Sequence, residues 1–134
     1  MNARAIAIAS AAVSLLALPA AAHHSFAMFD QQKVVTLKGT VKNFEWVNPH
    51  SWIYLMVADD AGTAKEWAIE MASPAQTSRI GWKADSVKPG DNVTIEINPL
   101  KDGTRGGTIL SLTLPDGKKL GKAGQVNNPL GAEQ

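Results

Sequence analysis

Apolar and polar residues alternate in several short stretches of the chain, a pattern typical of β-strands that turn one face toward a core. The first stretch runs from Val34 to Val47, the second from Ser51 to Ala58 and the third from Lys65 to Met71. Two later stretches, Asn92 to Ile97 and Thr108 to Leu114, repeat the pattern. The chain is therefore predicted to be mostly β.

The same alternation predicts which side chains face the core. The inward residues of the third and fourth strands are Trp67, Ile69, Met71, Val93, Ile95 and Ile97. The second strand is apolar on both faces, which predicts a central strand covered on both sides. Gly39 interrupts the first strand and predicts a bulge or sharp bend, which a small barrel needs in order to close.

One short helix is predicted between the third and fourth strands. Ser73 suits the N-cap, Pro74 the first helical position, and Gln76 completes a capping box, while Gly81 is a natural stop. The order of three strands, a helix and two strands is that of a small five-stranded OB-like Greek-key barrel. The alternative is an open meander with the helix on one face.

The first 22 residues have the layout of a cleaved signal peptide. Arg4 supplies a short positive region, Ile6 to Leu18 is apolar and uncharged, and Pro19 ends the run. Small residues then allow cleavage after Ala22. The alternative is an uncleaved membrane anchor, but the apolar run is shorter than the roughly 20 residues that span a bilayer.

This layout divides the chain into three parts. Residues 1–22 are the signal peptide, 23–120 an OB-like barrel with an N-terminal arm, and 121–134 a flexible tail rich in Gly, Asn and Pro. The predicted location is the periplasm or the exterior, with no membrane span after processing. The hydrophobic share of 45% is ordinary for a folded domain.

Charge and cysteine content exclude several functions. The formal charge is +1, and cleavage would remove Arg4, so the processed chain is neutral and has no basic face for nucleic acid. The chain has no cysteine, which excludes disulfides, thiolate metal sites and a thiol nucleophile. No serine triad, carboxylate pair or P-loop spacing stands out, so a binding protein is favoured over an enzyme.

Several short motifs resemble an uncharacterised family of small exported bacterial proteins, a domain of unknown function. The motifs are His23-His24-Ser25-Phe26, Gly39-Thr40-Val41, Glu45 to Trp52, Ser73-Pro74, Gly81-Trp82 and Pro89-Gly90-Asp91. The resemblance covers nearly all of the predicted mature chain. It implies export and a compact β domain, and it implies no catalytic residues.

Three histidines suggest a metal site. Cleavage after Ala22 would make His23 the first residue, whose α-amine and Nδ1 can chelate one ion. His50, on a turn stiffened by Pro49, would add a third nitrogen, as in the histidine brace of exported copper proteins. His24 is an alternative or a supporting ligand. The site would serve copper handling, with a metal donor or acceptor as partner.

Other metal arrangements stay open. Cleavage after Ala21 would place a histidine third from the free amine, which also binds Cu(II) in a square plane. Zinc is the alternative metal, with an acidic side chain as an extra ligand. The candidate acids are Glu45, Glu66 and Glu70, each of which can also be interpreted as a solvated residue of the outer face. Met28, Met56 and Met71 are interpreted as packing residues rather than Cu(I) ligands.

A metal-free function is the second hypothesis. His50 would then only cap a strand end, and an aromatic face would bind a peptide, a glycan or an envelope protein. Trp46, Trp52 and Trp82 are the candidates for exposure, whereas Trp67 alternates as a core residue.

Overall fold

The computed structural model of the chain describes residues 26–121. Its strands are β1 (Val35–Glu45), β2 (Trp52–Ala58), β3 (Ala64–Glu70), β4 (Asn92–Pro99), β5 (Gly106–Thr113) and β6 (Lys119–Gly121). One helix, α1 (Pro74–Ser78), lies between β3 and β4, and a 3₁₀ turn spans Phe26–Met28. The five predicted strands and the helix are all present, with ends shifted by one or two residues.

The strands form a closed five-stranded barrel. Their order is β3-β2-β1-β4-β5-β6, with neighbours in this order antiparallel. A parallel pairing of β3 with β5, in which Ala68 faces Gly106 and Glu70 faces Thr108, joins the two sides. Together with the helix between β3 and β4, this is the predicted OB-type barrel, and the open meander is excluded.

Strand β1 belongs to both halves of the barrel. Its first part, from Val35 to Thr40, pairs with β4, and its second part, from Thr40 to Glu45, pairs with β2. A side chain at Gly39 would place Cβ only 2.3 Å from the Met56 carbonyl oxygen, so the crossing of strands requires glycine. The bulge expected at Gly39 lies further on, since the register shift falls between Val41 and Asn43.

The core follows the predicted alternation closely. The buried set is Leu37, Val41, Ile53, Leu55, Ile69, Met71, Trp82, Val87, Val93, Ile95, Ile97, Ile109, Leu112 and Leu120. Trp67 packs against this set but is only half-buried. The double coverage expected for β2 is wrong, because Ile53 and Leu55 are buried while the outward Trp52 and Tyr54 are partly exposed.

The helix begins as its capping residues predict. The Ser73 hydroxyl oxygen accepts a hydrogen bond from the Gln76 backbone N–H at 3.4 Å, and Pro74 occupies the first turn. Gly81 follows the helix with φ of +93°, a left-handed conformation that favours glycine. The chain then turns inward, and Trp82 becomes fully buried.

A sixth strand was not predicted. The Pro115–Lys118 turn leads into β6, and the buried Leu120 faces Leu112 across the pair. The Trp82 indole donates a hydrogen bond to the Gly121 carbonyl at 2.7 Å, which fixes the end of β6. Strand β6 therefore ends one residue beyond the predicted boundary at residue 120, and the rest of the predicted flexible tail, residues 122–134, lies outside the described residues.

The N-terminal arm contacts the barrel through one of its two phenylalanines. Phe29 is 6% exposed and forms a β-bridge with Leu100, whereas Phe26 is 53% exposed. Backbone hydrogen bonds from Asp30 to Pro99 (2.8 Å) and from Lys101 to Met28 (3.0 Å) fix the arm beside the loop between β4 and β5. The arm is thus attached to the barrel through Phe29 and the backbone.

Candidate functional site at the β1–β2 loop and the outer face of β2 and β3

The loop between β1 and β2 holds His50 on a fixed base. The Asn48–Pro49 peptide bond is cis, and Ser51 directly after His50 is completely buried. The Ser51 backbone donates to the Ala72 carbonyl at 3.4 Å and accepts from the Met71 N–H at 2.9 Å. His50 therefore lies on a turn beside Pro49, as predicted, and the hydrogen bonds of Ser51 attach this turn to the end of β3, which was not predicted.

Glu70, the last residue of β3, holds the imidazole of His50. The Nδ1 atom of His50 lies in hydrogen-bond contact with Oε1 of Glu70. The two side chains are 23% and 17% exposed, so water screens the pair only in part. A carboxylate can only accept, and this contact places the ring proton on Nδ1 and the lone pair of the neutral ring on Nε2.

Trp52 lies between two carboxylates on the outer face of the barrel. In the register of β1, β2 and β3, Glu45 pairs with Trp52 and Trp52 pairs with Glu70. Side chains of directly opposed residues point to the same face, with Cβ atoms about 5 Å apart. Both carboxylates therefore flank the indole, and His50 joins the same group through Glu70.

Tyr54 extends this face by one row. Its cross-strand neighbours are Asn43 and Ala68, and its hydroxyl donates to Oε2 of Glu45 at 3.5 Å. Burial and then the negative charge of Glu45 raise the pKa of the Tyr54 phenol above its ordinary 10.0. Ala68, its neighbour on β3, has only a methyl side chain. We call Glu45, His50, Trp52, Tyr54 and Glu70 the aromatic–acidic face.

The other tryptophans do not belong to this face. Trp82 is 1% exposed, so the expectation that it is exposed is wrong, because the chain turns into the core after Gly81. Trp46 is half-buried and packs against the core, with its ring centroid 5.6 Å from that of Phe44. Of the three tryptophans considered for an exposed surface, Trp52 alone lies on the outer face of a strand.

The remaining predicted ligands are dispersed. Glu66 forms an ion pair with Lys42 at 2.5 Å on the solvent side of β3. Met71 is buried, Met56 is half-buried and Met28 is exposed, and they lie on separate elements. In the range that the structure describes, no three side chains of His, Asp or Glu are grouped so that they could hold a metal.

Two histidines fall outside the described residues. His23 and His24, the cleavage site and the signal peptide all precede residue 26, so these remain predictions. Between residues 26 and 121, no helix has the length and apolar character needed to cross a membrane.

The His50–Glu70 contact was not predicted as a pair, although both residues were candidates. A signal for it was present, because the β2–β3 hairpin is symmetric about its turn. Counting outward from Ala58 opposite Ala64 places Trp52 opposite Glu70. Tyr54, which was not named as a site residue, lies two positions after Trp52 on β2 and therefore on the same face.

The fold and this site define the chain as a small OB-type barrel with a histidine–carboxylate pair beside a partly exposed aromatic row. The chain belongs to the family of unknown function DUF6152, whose model matches residues 10–110. This confirms the resemblance to a family without an assigned function. No curated protein matches the chain significantly.

A solved structure with a similar arrangement is the mitochondrial single-stranded DNA binding protein Rim1 from S. cerevisiae. It is 13% identical in sequence, and the match covers 62% of this chain and 94% of Rim1 with a TM-score of 0.45. The binding activity in that name belongs to Rim1.

Proposed function

We propose that the chain is an exported copper-binding protein that takes part in metal handling. His50 supplies one imidazole ligand, and His23, as the first residue after cleavage, supplies its amine and its ring nitrogen. His24 supports this set. The protein exchanges the ion with a donor or acceptor in the cell envelope and does not itself catalyse a reaction.

The contact between Glu70 and His50 is the observation that carries the proposal. A histidine that binds a metal through one ring nitrogen almost always donates the other N–H to a carboxylate, a carbonyl or water. Glu70 occupies that position at Nδ1 of His50. The carboxylate fixes the ring orientation and raises the basicity of Nε2, the nitrogen that would bind the metal.

The attachment of the arm sets how far His23 can reach. Phe29 is fixed beside Leu100 and lies six positions after His23, and residues 26–28 between them form a 3₁₀ turn. With about 2 Å per residue across that turn and about 3.5 Å for each residue before it, the arm spans about 16 Å at most.

The path from the arm to Glu70 is comparable in length. It crosses from Leu100 to Gly106, whose carbonyl accepts from Leu100 at 3.0 Å, and from Gly106 to its partner Ala68. Glu70 lies two residues further along β3. With about 4.8 Å between strands and about 3.3 Å per residue, the path along the surface is about 20 Å. The difference of a few ångströms from the span of the arm is less than the combined length of the two histidine side chains that would bind the ion.

The choice of copper follows from the ligand types. An amine and two imidazoles form a nitrogen set that suits the tetragonal geometry of Cu(II). Zinc would prefer a tetrahedral site, for which a carboxylate such as Glu45 or Glu70 would supply the fourth ligand. Binding measured with each metal alone distinguishes the two.

The test begins with the mass of the intact exported protein, which fixes its first residue. Copper binding is then measured for the wild type, for His50→Ala and for a variant with three glycines inserted before His23, since one or two would place a histidine third from the free amine and create the square-planar Cu(II) site. We expect both changes to weaken Cu(II) binding more than tenfold, because each removes part of the nitrogen set. Glu96→Gln, on the opposite side of the barrel, serves as the control and should bind like the wild type.

The supporting carboxylate gives a second readout. Glu70→Gln should weaken copper binding about 10–100-fold, the usual cost of losing such a hydrogen-bond partner. The paramagnetic resonance spectrum of bound Cu(II) should show fewer nitrogen ligands in His50→Ala and an unchanged number in Glu70→Gln. Unchanged tight binding in both His50→Ala and the glycine-insertion variant would contradict the proposal.

A further inference from the structure

The aromatic–acidic face has a second property, which does not depend on metal. Trp52 and Tyr54 are neighbours on the outer side of β2, and neither is part of the core or packs against it. Residues at alternate positions along a strand share a face, so the two rings form a continuous surface about two residues long. Aromatic rings in such a row are a common platform for a bound chain.

The charged side chains around Trp52 and Tyr54 determine which kind of ligand this surface can bind. Glu66 is neutralised by Lys42, and Glu70 contacts His50. Among the described residues, Glu45 contacts only neutral donors, the Asn43 amide at 3.3 Å and the Tyr54 hydroxyl at 3.5 Å. The outer face of β1, β2 and β3 has three carboxylates, Glu45, Glu66 and Glu70, and two ammonium groups, Lys38 and Lys42, and of these carboxylates Glu45 is the one without a cationic or histidine partner. A phosphate backbone would be repelled there, and a cation would be attracted.

The geometry suits a cation in a specific position. Glu45 and Glu70 flank Trp52 from the two neighbouring strands. A guanidinium or ammonium group lying on the indole would gain a cation–π contact and stay close to a carboxylate. A planar guanidinium can stack on the ring while its N–H groups reach the carboxylate, so arginine fits better than lysine.

We propose that the aromatic–acidic face binds an arginine-containing extended peptide segment of a partner protein. The arginine side chain lies on Trp52 between Glu45 and Glu70, and the adjacent peptide crosses Tyr54 above Ala68. The small Ala68 leaves room for the peptide backbone there. The site recognises side-chain charge and shape, and it requires no metal ion.

The experiment uses the full processed chain, labelled with ¹⁵N, and two short synthetic Gly/Ser-rich peptides. One peptide carries a single arginine, and the other carries citrulline, which has the same shape and no charge. We expect the arginine peptide to shift backbone signals of β2 and β3, with the citrulline peptide at least tenfold weaker. A chelator should leave both titrations unchanged, which separates this site from copper binding.

Three variants locate the interaction. Trp52→Leu and Glu45→Gln should each weaken binding of the arginine peptide about tenfold, because each removes one of the two attractions. Glu96→Gln removes a carboxylate from the other side of the barrel and should have no effect. Spectra of the unbound variants check that each one is folded.

Several results would overturn the inference. Equal binding of the arginine and citrulline peptides would remove the role of charge. An equal loss in Glu96→Gln would show general attraction to an acidic protein. Binding of a neutral oligosaccharide to the same residues, without binding of the arginine peptide, would assign the face to a glycan instead.

Discussion

Glu96 and Glu45, on two different outer sides of the barrel, differ in the groups that donate hydrogen bonds to their carboxylates. On the β4–β5–β6 side, Glu96 accepts hydrogen bonds from Ser111 at 2.5 Å and from Lys119 at 3.3 Å. On the β1–β2–β3 side, Glu45 has only two long contacts with neutral groups. The Glu96 carboxylate is therefore compensated by residues of its own side, whereas Glu45 keeps its negative charge beside the partly exposed rings of Trp52 and Tyr54.

This difference distinguishes polar residues that stabilise the fold from those that can contact a ligand. The Ser111 and Lys119 hydrogen bonds lower the pKa of the Glu96 carboxyl, so its charge is stabilised within the protein. Trp82 similarly satisfies its own indole by donating to Gly121. The aromatic–acidic face lacks such internal compensation at Glu45, and for this reason we assign function to that side.

The largest expected contrast is between the tryptophans of the two sides. Trp82→Ala should lower the free energy of unfolding by about 3–5 kcal/mol, because it opens a cavity in the core and removes the bond to β6. Trp52→Ala should cost only about 1 kcal/mol, since the outer ring has few core contacts. Chemical denaturation measures both, and equal losses would show that Trp52 is a structural residue.

A smaller effect concerns acid stability on the β4–β5–β6 side. The pKa of Glu96 is lower in the folded chain than its ordinary 4.5, so its contribution is present above that pH. It is lost as the pH falls through the folded value. Glu96→Gln should therefore be less stable at pH 7 by under about 1 kcal/mol, as for an exposed pair, with no difference in strong acid. Denaturation at a series of pH values tests this, and a difference that persists in acid would contradict it.

The smallest effect tests the geometry of the other side. The chain has one tyrosine, so ultraviolet absorbance follows the Tyr54 phenol without assignment. Its raised pKa means that its stabilising contribution is present below pH 10.0 and is lost as the pH rises through the folded value. Glu45→Gln should lower this pKa but leave it above 10.0, because burial and the negative charge of Glu66 also raise it. Glu96→Gln is the control, and an identical titration in Glu45→Gln would place Glu45 away from the ring.

Much of the fold could be predicted from alternation, because period-two patterning reports directly which side chains face a core. Val93, Ile95 and Ile97 were predicted to face inward and are buried. The capping residue Ser73 marked the helix for an equally local reason. Strand β6 was missed because three residues are too few to show a period.

Features that depend on long-range packing could not be read in this way. The burial of Trp82 results from the chain entering the barrel after Gly81, and no periodic pattern marks that region. Gly39 was recognised from the sequence as unusual within β1. The reason that glycine is needed there, the close approach of the Met56 carbonyl oxygen, depends on the path of another strand and does not show in the local pattern. At the candidate site, His50 and Trp52 were found by residue type, whereas the role of Glu70 depended on strand register.

Strand β1 pairs with β4 over its first part and with β2 over its second part, and this affects the order in which the strands assemble. Its second part meets β2 within a local hairpin, and β3 completes this three-stranded unit by residue 70. Its first part has no partner until β4, which begins at Asn92. Local pairings close at a lower entropic cost than distant ones, so we expect the unit that contains Trp52 and Glu70 to form early and barrel closure to be the slow step.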